Sequence, residues 1–219
     1  MEASTPRIEE YLETIYKMAE MDDKATVTKI AEQLGVSAAS VSEMVRKLEQ
    51  GSLVAVGDHK AIMLTPDGEL RASQVVRKHR LAEVLLTDVL GYDWLEVHDE
   101  ACNLEHAISE EMADKMARSL KGPDRCPHGH PIPDSVGKVT QESTRSLADG
   151  VAGASSRVVS IPEENREILG YLASLGLTPG TVVEIDQVAP QGGPLTVVVA
   201  GKRQALARDL AVKIRVAAG

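Results

Sequence analysis

Apolar positions at 8, 12, 15 and 16 recur at helical spacing, and Thr5-Pro6 ahead of them is a start signal with proline at the first helical position. Residues 28–34 and 37–50 continue the helical period on either side of Gly35-Val36. The pattern then shortens. Two β-prone runs, 53–56 and 61–64, flank the polar tetrapeptide Gly57-Asp58-His59-Lys60, which predicts a hairpin. Helix, helix, short turn, helix and hairpin is the order of a winged helix-turn-helix. Two long helices are predicted next, over about 68–90 and 93–120. Prolines at 127, 131 and 133 forbid a further helix, and the Gly/Ser-rich stretch 149–156 reads as a linker. Short β runs at 177–185, 195–200 and 212–216, with Pro/Gly turns between, predict a small barrel or sandwich.

In the helix-turn-helix stretch, small Ala31 permits close helix approach, Gly35 supplies the turn and Ser37 caps the second helix. Ile30, Leu34, Val36, Val41, Val45 and Leu48 form the expected buried side. Ser37, Ala38, Ala39, Ser40, Ser42, Glu43 and Lys47 are left facing outward, short enough to lie close to base edges and phosphates of double-stranded DNA. A helical hairpin packed against protein would show a similar pattern.

Charge pulls against DNA. The 219-residue chain carries 24 basic and 33 acidic side chains, a formal net charge of −9, and 13 acids face 8 bases in positions 1–74. Phosphate neutralisation by Lys and Arg supplies most non-specific affinity, so such a chain needs something to offset its acids.

That something is suggested by the residues from 79 to 106. His79 and Glu83 are one helical turn apart, and His98, Cys102, Glu105 and His106 fall within roughly a 100° arc of a second helix. Imidazole, thiolate and carboxylate converging on one stripe suit a first-row transition metal rather than calcium or magnesium. A second Cys/His group, Cys126-Pro127-His128-Gly129-His130, fits neither a four-ligand zinc spacing nor a helix, and is read as a turn between domains.

With these motifs in hand, the chain resembles the diphtheria toxin repressor family of metal-dependent repressors along its whole length, including the Pro-Ile-Pro turn at 131–133. The resemblance implies a multidomain fold. A mainly α winged helix-turn-helix (1–74) and a helical dimerisation and metal-binding domain (75–140) would be followed by a linker (141–155) and a small β SH3-like, FeoA-like barrel (156–219). It also implies two metal sites per subunit, a primary one from Glu10, Cys102, Glu105 and His106 and an ancillary one from His79, Glu83 and His98. Glu164 and Glu167 in the last domain carry the spacing of further ancillary ligands. Glu10 matches the manganese-responsive pattern and Cys102 the iron-responsive one, so either Mn²⁺ or Fe²⁺ is implied, with Zn²⁺, Co²⁺ or Ni²⁺ as substitutes.

The expectation is therefore a homodimeric, metal-activated repressor that binds a palindromic operator and is not an enzyme. Two other readings are a di-metal hydrolase or oxidase built on the His/Glu/Cys stripe and a pure interaction module. Two cysteines, the lack of a signal-peptide pattern and the lack of a long apolar run predict a cytoplasmic protein without membrane attachment.

Overall fold

The computed structural model describes residues 5–140, 142–163 and 165–218. In chain order the elements are α1 (Pro6–Glu20), α2 (Val27–Leu34), α3 (Ala38–Gln50), β1 (Val54–Val56), β2 (Ile62–Leu64), α4 (Pro66–Asp88), α5 (Val97–Glu105) and α6 (Glu110–Ser119). They continue with β3 (Arg145–Ser146), β4 (Ser155–Ser160), α7 (Arg166–Ser174), β5 (Val182–Val188), β6 (Leu195–Val199), β7 (Lys202–Leu206), α8 (Arg208–Lys213) and β8 (Arg215–Ala218). The chain forms two compact units: residues 1–79, 103–115 and 133–139 make the first, and 80–102, 116–132 and 140–219 the second.

The first unit is the winged helix-turn-helix with the start of α4. Thr26 and Ser37 cap α2 and α3 through the amides of Lys29 and Ser40, and Gly35 ends α2 in the left-handed conformation at φ 64°. Ile8, Tyr11, Leu12, Ile15 and Tyr16 of α1 share one core with Ile30, Val41, Met44, Val45, Leu48 and the hairpin residues Val54 and Ile62. Strands β1 and β2 pair antiparallel, Val54 opposite Leu64 and Val56 opposite Ile62. Val36, expected on the buried side, is 37% exposed because it lies in the turn rather than on a packed helix face.

The helix predicted over 93–120 is two helices. Ser109 interrupts it, accepting the Met112 amide at its hydroxyl and the Ala113 amide at its carbonyl, and Glu110-Glu111 reinforces the new helix start.

In the second unit, six antiparallel strands run in the order β3-β8-β4-β5-β6-β7 around Val158, Leu169, Leu172, Val183, Ile185, Leu195, Val197, Leu206 and Ile214. The sheet begins inside the stretch expected to be linker, since β3 pairs Arg145 with Val216. Residues 212 and 213, expected in a strand, end α8 instead. The turn 124–132 is pinned by its own backbone. Cys126 donates to the His130 carbonyl, Gly129 to the Cys126 carbonyl, Ile132 to the Asp124 carbonyl, and Ile161 reaches back to the His128 carbonyl.

Candidate metal centres and nucleic-acid interface

In the first unit, acidic and imidazole side chains form an unbroken series. His79 Nδ1 lies 2.7 Å from Glu105 Oε2 and 3.9 Å from Glu13 Oε1. His106 Nε2 is 3.3 Å from Glu105 Oε1, and its Nδ1 is 2.7 Å from Glu9 Oε2. Glu13, His79 and Glu105 are buried, whereas the side chains of Glu9 and His106 retain 19% and 24% of their exposure. The cluster therefore has a closed floor and a wet rim.

Burial alone would raise the Glu13 carboxyl, but Lys17 at 2.9 Å and the His79 imidazole outweigh it and hold it at about 2. Burial raises Glu105 above the usual carboxylate range, with Glu13 adding to the push and His79 opposing it. Each acid thus depends on a neighbouring cation, a role a divalent ion fills.

Of the sequence-assigned primary ligands, Glu105 and His106 sit in this cluster. Glu10 does not: it is exposed, and α1 turns Glu9 and Glu13, one turn apart, toward the histidines instead. The Glu9/Glu13 spacing of one helical turn was a signal in the sequence for the pair that faces the histidines. Cys102, on α5, is exposed with its Sγ 3.8 Å from His98 Nε2.

The second unit holds a different cluster. Glu83, Cys126, His128 and Glu163 each offer a donor atom within 4.8 Å of the others, and all four are buried. His128 Nδ1 is 3.1 Å from Glu83 Oε1 and 3.7 Å from Glu163 Oε2, and Cys126 Sγ is 4.0 Å from Glu163 Oε2. His128 Nε2 donates to the Trp94 carbonyl at 2.9 Å, which leaves Nδ1 as the atom facing the carboxylates. His130 Nε2 donates to the Ile161 carbonyl, also at 2.9 Å. Burial pushes the Cys126 thiol well above its usual value, and the carboxylates of Glu83 and Glu163 push it further. Burial lowers the His128 imidazole, but Glu83 and Glu163 outweigh that and raise it.

Reading 126–130 as a plain turn between domains left out the buried cluster that Cys126 and His128 join. Its partners at 83 and 163 are remote in sequence, so no local spacing announces them.

Of the ancillary assignments, Glu83 is in this cluster and His98 Nδ1 lies 3.6 Å from its Oε1. His98 also lines a cleft of about 220 Å³ with Glu163 and Glu167. Glu164 lies outside the described residues.

The α3 residues Ser37, Ala38, Ala39, Glu43 and Lys47 are exposed and Ser40 and Ser42 half-buried. Ser42 Oγ donates to the Ala38 carbonyl and Ser37 Oγ is 2.9 Å from Ser40 Oγ, so two of these hydroxyls are oriented by the helix itself.

A capped, outward-facing α3 on a winged scaffold and a buried imidazole–carboxylate cluster in the same unit define a metal-responsive, DNA-binding transcription regulator. Residues 4–62 match the family profile described as iron dependent repressor, N-terminal DNA binding domain, and 65–134 that described as iron dependent repressor, metal binding and dimerisation domain. Residues 145–218 match the FeoA domain. The chain is 36% identical over 218 residues to the diphtheria toxin repressor of Corynebacterium diphtheriae, covering 95% of each chain. It is 32% identical over 205 residues to the iron-dependent repressor IdeR of Mycobacterium tuberculosis, covering 88% of each. A solved manganese-dependent transcriptional repressor in complex with manganese superimposes with a TM-score of 0.89 at 35% identity, over 97% of this chain and 100% of that one.

The chain belongs to the iron-dependent repressor family typified by the diphtheria toxin repressor. It is a metal-dependent transcriptional repressor rather than an enzyme, with DNA and a second copy of itself as partners. None of its helices is long and apolar enough to cross a membrane, among the described residues.

Proposed function

We propose that this repressor senses Mn²⁺ or Fe²⁺ through Glu9, Glu13, His79, Glu105 and His106, and controls metal-homeostasis genes from a palindromic operator in the cytoplasm. The observation that carries the reading is the unbroken series of donors linking α1 to α4 and to the end of α5. Its donors are two imidazoles and three carboxylates without sulfur, a set that suits Mn²⁺ and Fe²⁺. The bound ion adds positive charge among three carboxylates, of which Glu13 alone has a lysine, Lys17, beside it.

Glu9 and Glu13 sit on the helix whose adjoining face, Ile8, Leu12 and Ile15, packs in the same core as Val41, Val45 and Leu48 of α3. Drawn to one ion, the carboxylates hold α1 against α4 and α5, and the shared core passes that position to α3. Metal and operator affinities then raise each other reciprocally. The working division is a DNA-binding domain over 1–74, a dimerisation and metal-binding domain over 75–140, a connecting segment over 141–155 and the SH3-like domain over 156–219. Val89, Leu90 and Tyr92, exposed after α4, are candidates for the dimer contact. Cys102 remains a candidate donor by its spacing from Glu105 and His106.

Anaerobic titration of Mn²⁺, Fe²⁺ and Zn²⁺ into the reduced protein, followed by fluorescence anisotropy on palindromic duplexes, tests the reading. Activation by one ion is the expected result. DNA affinity that no ion changes by more than a few fold on any duplex overturns it.

A further inference from the structure

We propose that Lys17 is a built-in competitor of the sensed ion: its ammonium occupies the Glu13 oxygen that faces His79, and so sets how much Mn²⁺ or Fe²⁺ the protein needs before it responds. This role presupposes the sensing site proposed above and names what regulates it.

The contact is made at one particular atom. Lys17 Nζ lies 2.9 Å from Glu13 Oε1, and Oε1 is also the oxygen 3.9 Å from His79 Nδ1. Glu13, His79 and Glu105 each offer a donor atom within 4.8 Å of the others. Glu13 Oε1 is buried and takes no well-aligned hydrogen bond, so it meets the ammonium by charge while its lone pairs stay unspent.

A lysine four residues after a glutamate is a common helix pairing that contributes little on a solvated face. Lys115 and Glu111 on α6 are the ordinary case, 2.8 Å apart with side chains 66% and 78% exposed. Lys17 and Glu13 have the same spacing but side chains only 15% and 9% exposed. Lys17 also lies in the last turn of α1, where the helix dipole favours a cation. The dipole accounts for a lysine at that position, but not for its burial against an oxygen of the cluster.

Burial makes the pairing consequential. Partly buried charges are screened far less than exposed ones, so the ammonium and an ion drawn to Oε1 repel each other strongly at close range. The flexible four-carbon stem of Lys17 lets its head swing out to water while the stem stays packed. The two cations are therefore linked through one oxygen, each weakening the hold of the other.

The test compares the full chain with Lys17→Met and Lys17→Gln, which remove the charge at similar length, and with Lys17→Arg, which keeps it. Calorimetry at pH 8 is expected to show Mn²⁺ binding at least about fivefold tighter in the two neutral variants, the low end for coupled sites. Lys17→Arg should stay near the unaltered chain. Without Mn²⁺ the neutral variants should melt at a lower temperature, and Mn²⁺ should raise their Tm by more than it raises that of the unaltered chain. A lysine that only stabilises α1 would lower Tm equally with and without Mn²⁺ and leave Kd unchanged, which overturns the proposal. Weaker Mn²⁺ binding in the neutral variants also overturns it, by making Lys17 a support for Glu13, and so does tightening shared by Lys17→Arg, which traces to shape rather than charge. His106→Ala separates this result from the sensing function itself. If that variant loses Mn²⁺ affinity while the neutral Lys17 variants do not change it, the role of Lys17 alone falls. If His106→Ala leaves Mn²⁺ affinity unchanged, the sensing site falls and the role of Lys17 with it.

Discussion

The two donor clusters differ in access and in softness. The cluster in the first unit combines buried Glu13, His79 and Glu105 with a rim of Glu9 and His106 at 19% and 24% exposure, and contains no sulfur. The cluster in the second unit has every donor buried and includes Cys126. A half-open site of hard donors exchanges its ion with the surroundings and suits a sensor. A closed one with a thiolate holds its ion and suits a strut. Resemblance to a two-site family does not separate these roles, but burial and donor type do.

The comparison breaks most readily at His106, which is partly exposed and replaceable without a large cavity. His106→Ala is expected to remove metal activation of operator binding, a loss of at least about 100-fold in the metal-dependent gain, beyond the outer-shell range. Anisotropy with saturating Mn²⁺ or Fe²⁺ measures it, and a fully responsive variant would move the sensor elsewhere.

Thermal stability probes the closed cluster. An ion at 100 times its Kd adds about 2.7 kcal/mol, or about 5–10 °C for a chain of this size. Zn²⁺ should raise Tm by that amount in the Cys102→Ser chain and by far less once Cys126→Ser is added. Equal shifts in the two proteins would show that the stabilising ion sits elsewhere.

The pH response should differ as well. Cys126 must lose its proton to bind, and its thiol is held well above the usual value, whereas Glu13, at about 2, is already ionised near neutrality. Zn²⁺ affinity of the closed site should therefore fall with falling pH by about tenfold per unit for each proton released. Calorimetry between pH 8 and 6 checks the slope, and a flat profile contradicts thiolate ligation.

Smaller effects sharpen the sensor. Glu9→Gln should lower Mn²⁺ affinity by at least about tenfold, the low end of the range for loss of an outer-shell partner, while Glu10→Gln, at an exposed position outside the cluster, should change it little. Equal losses would return residue 10 to the site. On α3, Ser37→Ala is expected to cost about 1 kcal/mol of stability through the lost cap. Lys47→Ala should weaken binding to all duplexes alike and lower the salt slope by about one.

Much of the fold was legible because its signals are local. Caps at Thr26 and Ser37, Gly35 and the polar loop 57–60 each specify geometry within a few residues. Where the sequence reading failed, the cause was a competing local signal or a distant partner. Ser109 restarts a helix inside a period that reads as continuous, and the helix Arg208–Lys213 takes in the first two residues of the β-prone run 212–216. Glu9 and Glu13, rather than Glu10, face the histidines because a helix turns each residue by about 100°, so adjacent glutamates face different neighbours. Cys126 and His128 could not be assigned from a five-residue window, because their meaning depends on Glu83 and Glu163.

Gly129 sets a limit on engineering. Its hydrogen occupies space that a methyl group could not share with the Val159 carbonyl, so Cys126 and His128 cannot be transplanted as two isolated side chains. The portable unit is the whole Cys-Pro-His-Gly-His turn together with the strand edge it rests on. A graft carrying only the cysteine and histidine side chains would miss the footing that holds them.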